Sequence, residues 1–284
     1  MMLDRPVTVW RPNVKRRGRI YQITSRMNNK TNINTLDVID EIMAFCRAKS
    51  YPLESVGIVT HKDARKDFEE SGFTCLHFYG QRGTNKLADV RALFVVGAPQ
   101  PHNDSLVGAY RCLSDDYNPL TPEMTESGIR PVRTGKLVSY NYRRDDGCVP
   151  HRMVSGYWWH GIQSLLNAYR ESEIIQAVFR ARPLTRDVDI YLLTSVPTSL
   201  RLDGIGETFG DLMGSPVPNW QAWELVRDWI ETLPDGEIID YTRLAEVTGL
   251  KEPTLRKQRW LDLIICHMPG VEALQARKRV LVKT

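Results

Sequence analysis

Polar and cationic side chains follow two short apolar runs of this chain, a pattern able to bind an anionic ligand. The first run, VGIV, leads into Thr-His-Lys, and the second, CLHF, leads into YGQRGTN. The candidate contacts are Thr60, His61, Lys62, Arg82, Gly83, Thr84 and Asn85. Ligands of α/β sheets meet the carboxyl ends of strands, and glycine lets the backbone approach a phosphate chain closely. We therefore predict that these loops contact phosphate groups.

A third polar segment, EIIQAVFRARP, spans residues 173–183 and is predicted to be mostly helical. Gln176 and Arg180 lie four residues apart and therefore share one face of that helix. Arg182 precedes Pro183, which biases it out of helical geometry and lets its guanidinium group point separately. Each of the three segments also fits an ordinary structural role. Their order along the chain favours a shared function.

The three segments resemble motifs IV, V and VI in the second RecA-like domain of superfamily 2 helicases, with the closest likeness to replication helicases of phage, plasmid and primase-linked type. The resemblance covers about residues 20–197. It implies that Gln176 and Arg180 face ATP bound against the other RecA-like domain, with Arg180 as an arginine finger on the γ-phosphate. It also implies that residues 60–62 and 83–85 contact the nucleic-acid backbone or couple it to ATP.

The chain departs from the helicase pattern at two positions and lacks half of the machinery. Phe179 stands where glycine is usual, and the second finger arginine falls at Pro183, with Arg182 as its substitute. The sequence contains no G-x-x-x-x-G-K-[ST] phosphate-binding loop. ATP and Mg²⁺ are therefore expected to bind mainly to a first RecA-like domain, in a longer protein or a partner chain. This chain alone is expected to be inactive as an ATP hydrolase.

The elements that must position these residues alternate between strand and helix, which predicts an α/β domain with a parallel sheet. Strands are predicted at 7–10, 19–24, 56–60, 74–79, 91–97 and 189–194, and helices at 36–46, 61–71, 159–169 and 173–182. With the resemblance, the predicted fold class is a RecA-like domain over 1–203, with an insertion at about 112–157. Four Gly and two Pro predict a linker over 204–218.

Residues 219–284 predict a different architecture. Asn219 is placed to cap a helix, a short helix over 241–248 ends at Gly249, and Pro253 starts a longer helix to His267. The inward positions of the first helix are Trp223, Val226, Ile230 and Leu233. Two further strands, 271–274 and 279–283, are spaced to pair as a hairpin. Three helices followed by a β-ribbon predict a winged helix-turn-helix domain.

The second helix of a helix-turn-helix pair enters the major groove of DNA with its N-terminal residues. The predicted DNA contacts here are Lys251, Thr254, Arg256, Lys257, Arg259, Arg277 and Lys278. Trp260, Leu261, Ile264 and Ile265 are interpreted as core. Acidic residues gather around the first helix, so charge is segregated by face, as contact with phosphates requires. The alternative is a protein-binding winged helix whose cations only solvate its surface.

Composition narrows the class of protein without choosing a function. The 284 residues carry a net charge of +4, a mild surplus that permits an anionic partner. The longest apolar stretch surrounds 93–96 and is too short to cross a membrane, and the first residues lack the apolar core of a signal peptide. The five cysteines are scattered, which predicts free thiols in a cytoplasmic protein without a membrane partner.

Three functions follow as hypotheses from these patterns. The leading hypothesis is the C-terminal portion of an ATP-dependent helicase acting in DNA replication, with a single strand or fork as its partner. The alternative is a non-catalytic DNA-binding replication initiator or transcription regulator that uses the winged helix. A third, binding of another small nucleotide, rests on fold analogy alone. The choice between DNA and RNA stays open in the sequence.

Overall fold

A computed structural model describes residues 15–25, 28, 30, 33–80, 83–113, 137–139, 151–153, 160–217, 219–268, 270–275 and 280–283. The chain divides into two compact units, Met1–Glu207 and Thr208–Thr284. The predicted strand at 7–10 and most of the predicted insertion at 112–157 lie outside the described residues.

The first unit is built on a parallel β-sheet. Its strands in chain order are β1 (Arg19–Ile23), β2 (Val56–Thr60), β3 (Thr74–His77), β4 (Ala92–Val96), β5 (Leu137–Ser139), β6 (His151–Met153), β7 (Asp189–Leu193) and β8 (Gly204–Gly206). Six of these strands form one sheet in the order β3-β2-β4-β7-β1-β8, and every neighbouring pair is parallel. Strands β5 and β6 pair separately and antiparallel. The predicted α/β fold with a parallel sheet is confirmed.

Continuous apolar runs explain the centre of that sheet. Strands β2, β4 and β7 are buried at every position, as expected for strands covered on both faces. The helices of this unit are α1 (Thr35–Ala48), α2 (Arg65–Glu70), α3 (Asn103–Leu113) and α4 (His160–Phe179). None of the helices in the described ranges combines the length and apolar character that a membrane crossing requires.

Helix α4 corrects one sequence prediction. Two helices were expected, over 159–169 and 173–182, but the structure has a single helix of 20 residues. The intervening residues contain neither glycine nor proline, so nothing local interrupts the backbone hydrogen bonds. Ile174, Ala177 and Val178 of α4 are fully buried in the core that covers the sheet.

The described residues between β3 and β4, 78–80 and 83–91, contain no helix and form turns and irregular backbone. Because both strands are parallel to β2, residues 78–91 must return from the carboxyl edge of the sheet to its amino edge. We call residues 78–91 the crossing segment. Leu87 is buried near Gly57, where an added Cβ would lie 2.7 Å from Leu87 Cδ2. The second half of the crossing segment therefore lies at the amino end of β2.

The second unit contains helices and a small antiparallel sheet. Its elements are α5 (Phe209–Met213), α6 (Trp220–Thr232), β9 (Ile238–Ile239), α7 (Tyr241–Thr248), α8 (Glu252–Lys257), α9 (Trp260–His267), β10 (Val271–Gln275) and β11 (Val280–Lys283). The three strands pair in the order β10-β11-β9. The predicted hairpin is thus present, and its second strand, β11, is the central strand of the sheet because it also pairs with β9.

Local signals account for the helix ends of this unit. The Asn219 side chain accepts a hydrogen bond from Ala222 N at 3.1 Å, and Gly249 ends α7 with a φ of 67°. The single helix predicted over 253–267 is wrong, because Arg259 adopts a left-handed φ of 55° and separates α8 from α9. The predicted core is found except for Ile265, whose side chain is 40% exposed.

Within the range predicted as a linker, residues 204–217 contain two short ordered elements, and the boundary between the two units falls between residues 207 and 208. Residues Gly204–Gly206 form the edge strand β8, paired with β1. Phe209–Met213 form α5, and Thr208 and Asp211 close a reciprocal capping box at its first turn. The four glycines and Pro216 of this range therefore lie in or next to short ordered elements.

Candidate functional site

Three strand-end loops of the first unit enclose a cleft of about 240 Å³ at the carboxyl edge of the sheet. The loops follow β2, β3 and β4, and one residue from the segment after β1 completes the wall. The lining residues are Lys30, His61, Lys62, Asp63, Phe78, Tyr79, Pro99 and Gln100. Only His61 and Lys62 of this set were predicted as site residues. The others carry a recognisable signal, because most of them come shortly after a strand ends.

Two of the predicted contacts lie behind the surface. Thr60 is fully buried, so its side chain does not reach the surface of the cleft in this structure. His61 is 8% exposed, and its Nε2 lies 3.0 Å from Asn28 O, with its ring edge against Phe78. Burial lowers the pKa of His61, and a neutral imidazole is left to donate to the carbonyl. His61 therefore anchors residue 28 to the wall of the cleft.

The free energy of unfolding should depend on the protonation of His61. Because its pKa is lowered in the folded protein, the unfolded chain binds more protons below pH 6.5, and stability falls as pH decreases below that value. The change His61→Gln keeps a donor for Asn28 O and should flatten this dependence in urea unfolding followed from pH 5 to 8. His102→Gln, at a side chain 79% exposed, is the control and should leave it unchanged. If the free energy of unfolding of His61→Gln depended on pH as it does in the unchanged protein, His61 would not be the group responsible.

The rim of the cleft carries three charged side chains. Lys30 Nζ lies 2.9 Å from Asp63 Oδ2, and the pair is mostly exposed. The hydrogen bond and charge of Lys30 lower the pKa of Asp63, so this carboxylate is ionised and matched by its lysine. Lys62 is also exposed. The rim therefore has one positive charge in excess.

Two buried ionic side chains of α4 fix the loops that form the cleft. Arg170 Nη2 donates to Gln100 Oε1 at 3.0 Å, and Glu173 Oε2 accepts from the backbone N–H of Tyr79 at 3.0 Å. Both side chains are 2% exposed. Their sequence pattern resembles an ordinary solvated helix face, so sequence reasoning missed them. They connect α4 to the loops after β3 and β4.

The second and third predicted segments lie together. Arg180 Nη1 donates to Thr84 O at 3.3 Å, and Arg182 Nη2 lies 3.4 Å from Asn85 Oδ1. Gln176 and Arg180 are half-buried on α4 and just beyond it. Gly83, with a φ of 73°, is exposed beside these contacts. Arg82 lies outside the described residues.

The first predicted segment lies apart from the other two. Residues 60–62 are at the carboxyl end of β2, whereas Leu87, two residues after Asn85, packs near Gly57 at its amino end. Residues 60–62 and 83–85 therefore do not share one edge of the sheet. The reason is the length of the crossing segment, which carries Thr84 and Asn85 away from the strand they follow.

Arg180 and Arg182 hydrogen-bond to a different kind of oxygen from most arginines of the described residues that have a side-chain contact. Nine other arginines of the described residues pair with carboxylates: Arg16, Arg17, Arg19, Arg65, Arg186, Arg227, Arg243, Arg256 and Arg259. Within the described residues, Arg180 and Arg182 contact neutral oxygens and pair with no carboxylate. Their positive charge is thus available to an anion.

The predicted DNA contacts of the second unit lie on and next to α8. Lys251, Thr254, Arg256, Lys257 and Arg259 are all exposed. The Arg256 guanidinium sits 4.5 Å from the ring centre of Tyr241 and pairs with Glu252 at 3.1 Å. Arg259 pairs with Asp262 at 2.7 Å. Arg277 and Lys278 lie outside the described residues.

Comparison with protein-family models, with curated proteins and with solved structures finds no match to this chain. No group of three histidine, cysteine or carboxylate side chains in the described ranges is arranged to hold a metal ion. Two features of the described residues bear on function: the cleft at the carboxyl edge, and the arginines beside the crossing segment.

Proposed function

We propose that this chain is the C-terminal portion of an ATP-dependent helicase acting in DNA replication, with a RecA-like domain followed by a winged helix. The observation that carries the proposal is the pair of arginines, Arg180 and Arg182, that touch the crossing segment and pair with no carboxylate in the described part of the chain. An arginine finger needs this combination of a fixed position and an uncompensated charge. The proposal also gives the protein a cytoplasmic location, with DNA and a first RecA-like domain or chain as partners.

ATP with Mg²⁺ supplies the phosphoryl bond whose hydrolysis drives such a motor, and both are expected to bind mainly to the partner domain. The residues of this chain fit a role toward the phosphate oxygens. Gln176 and Arg180 share one face of α4, and Arg182 extends beyond its end in a left-handed conformation. Because Arg180 also contacts Thr84, a shift of its guanidinium group on meeting phosphate is transmitted to the crossing segment.

The direct test is phosphate release from ATP in the presence of single-stranded DNA. The purified chain alone should release none above background. Addition of a protein carrying the missing phosphate-binding loop, encoded upstream in the same reading frame or next to it, should give hydrolysis stimulated by DNA. Steady phosphate release by the chain alone, abolished in Arg180→Ala, would overturn the division of labour between the two parts.

A second function, that of a DNA-binding initiator or regulator without catalysis, is favoured by one observation on the second unit. The order α6-β9-α7-α8-α9-β10-β11, with β11 between β10 and β9, supports the proposal that this unit is a winged helix. Its α8 region presents exposed cations where the DNA-reading helix of such a domain begins. Under this alternative the α/β unit is a scaffold, and the phosphate-release experiment separates the two proposals.

Binding of duplex DNA through α8 should depend steeply on salt. Lys257→Ala should weaken binding and reduce the slope of log affinity against log salt by about 1, because one phosphate contact is lost. Arg256→Ala should also weaken it. Arg227→Ala on α6, where the side chain pairs with Glu224, is the control and should bind as the unchanged protein does. Binding that is indifferent to salt would point to a protein partner for this surface. Fluorescence anisotropy of a labelled duplex measures the affinity of the unchanged protein and of the three variants.

A further inference from the structure

The cleft at the carboxyl edge has flat apolar walls and one positive charge in excess at its rim. Its walls include the aromatic side chains Phe78 and Tyr79 and the ring of Pro99, and Gln100 adds an amide that can both donate and accept hydrogen bonds. Lys62 supplies the charge in excess at the rim. Its volume of about 240 Å³ is below the roughly 300–1,000 Å³ of sites that enclose whole small molecules.

Tyr79 is held in an unusual conformation at this cleft. Its φ of 64° lies in the left-handed region, which bulky residues rarely adopt, and its ring is half exposed. The buried carboxylate of Glu173 accepts the N–H of this residue and so fixes the strained backbone. A bulky side chain kept at a costly position, with an exposed face on a cleft, is arranged to contact a ligand.

The charge state of Tyr79 suits stacking. Burial and the neighbouring Glu173 raise the pKa of the phenol, so the ring is neutral at physiological pH. A neutral aromatic face binds nucleobases of any sequence by stacking. Glu173 and Arg170 act as positioning residues, because they hold Tyr79 and Gln100 from behind without lining the cleft.

We propose that this cleft takes one unstacked nucleobase of a single strand, stacked on Tyr79 and hydrogen-bonded by the Gln100 amide, with the adjoining phosphate on Lys62. The inference rests on the proposed function for its strand and deepens it by naming a base contact separate from the arginines at the opposite end of β2. The base is the part of the strand that fits the aromatic wall, and the single excess charge of the rim suits one phosphate.

The test uses the full chain and a short thymidine strand in which 5-iodouracil replaces thymine. Long-wavelength ultraviolet light should crosslink the strand to Tyr79, as located by peptide mass spectrometry. Tyr79→Phe keeps the ring and should retain affinity and crosslinking. Tyr79→Asn removes the ring with a residue that tolerates the left-handed backbone, so it should fold normally, lose the crosslink and bind the strand about 5- to 100-fold more weakly.

Two further strands or ligands separate the possible outcomes. A strand of the same length without bases should bind the unchanged chain more weakly than the thymidine strand does. Tyr79→Asn should bind the two strands with equal affinity. Strand binding with crosslinks elsewhere, or equal affinity for the strand without bases, overturns the base pocket and leaves the helicase proposal standing. Displacement of the strand by an equal concentration of thymidine monophosphate assigns the cleft to free nucleotides instead. Absence of any single-strand binding overturns both proposals.

Discussion

Substitution of Arg180 by alanine should lower DNA-stimulated ATP hydrolysis by about 10³- to 10⁵-fold when the chain is combined with its partner domain. The loss should fall on kcat, with KM for ATP changed little, because a finger arginine acts most strongly on the charge that develops during phosphoryl transfer. Arg180→Lys should recover little of the rate, since a lysine keeps the charge but not the planar two-donor fork.

The same helix end offers a matched control for Arg180. Arg186 lies six residues further on and pairs with Asp89 of the crossing segment, so its charge is already neutralised. Arg186→Ala should therefore leave hydrolysis within a few-fold of the unchanged protein. The contact of Arg180 with Thr84 O contributes only about 1 kcal/mol to folding, and thermal unfolding should show both variants folded. Equal loss of activity in the two variants would mean that the contact between Arg180 and the crossing segment has only a structural role, and that Arg180 is not an arginine finger.

The sheet of the first unit was predictable because burial on both faces leaves a direct mark on the sequence. The runs that form β2 and β4 contain almost only apolar residues, and turn residues bound them on both sides. In the second unit, Asn219 and Gly249 mark helix ends. The Asn219 side chain accepts a hydrogen bond from a free backbone N–H at the start of α6, and Gly249 adopts the left-handed conformation that ends α7. Local chemistry of this kind is visible without the fold.

The candidate site was only half predictable because its geometry is set by long-range contacts. Nothing in the sequence tells how far the crossing segment carries Thr84 from the end of β3. Arg170 and Glu173 resemble surface charges until the loops they hold are known. The left-handed Arg259 and Tyr79 break the rule that glycine takes such positions, so a pattern of glycines misses both. Spacing located the arginines but not the cleft.

Substitution of Gly97 by alanine should destabilise the first unit by about 3 kcal/mol or more. Gly97 follows β4 directly and has a φ of 94°, which a residue with a Cβ rarely adopts. The added Cβ would lie 2.1 Å from Asn28 O and 2.6 Å from His61 Nε2. Asn28 cannot yield easily, because its buried side chain donates to Leu193 O. The wall of the cleft is thus packed against the glycine.

Gly72→Ala is the control that separates backbone strain from this clash. Gly72 has nearly the same φ, 92°, but no atom lies within 4 Å of an added Cβ. It should lose only about 1–2 kcal/mol, the cost of a left-handed backbone for alanine. Urea unfolding followed by circular dichroism gives both free energies, and similar m-values show that the same unit unfolds. Equal losses in the two variants would show that Asn28 and His61 are not fixed against Gly97. A larger loss in Gly97→Ala, with weaker single-strand binding at temperatures where it stays folded, ties the packing of this wall to the ligand.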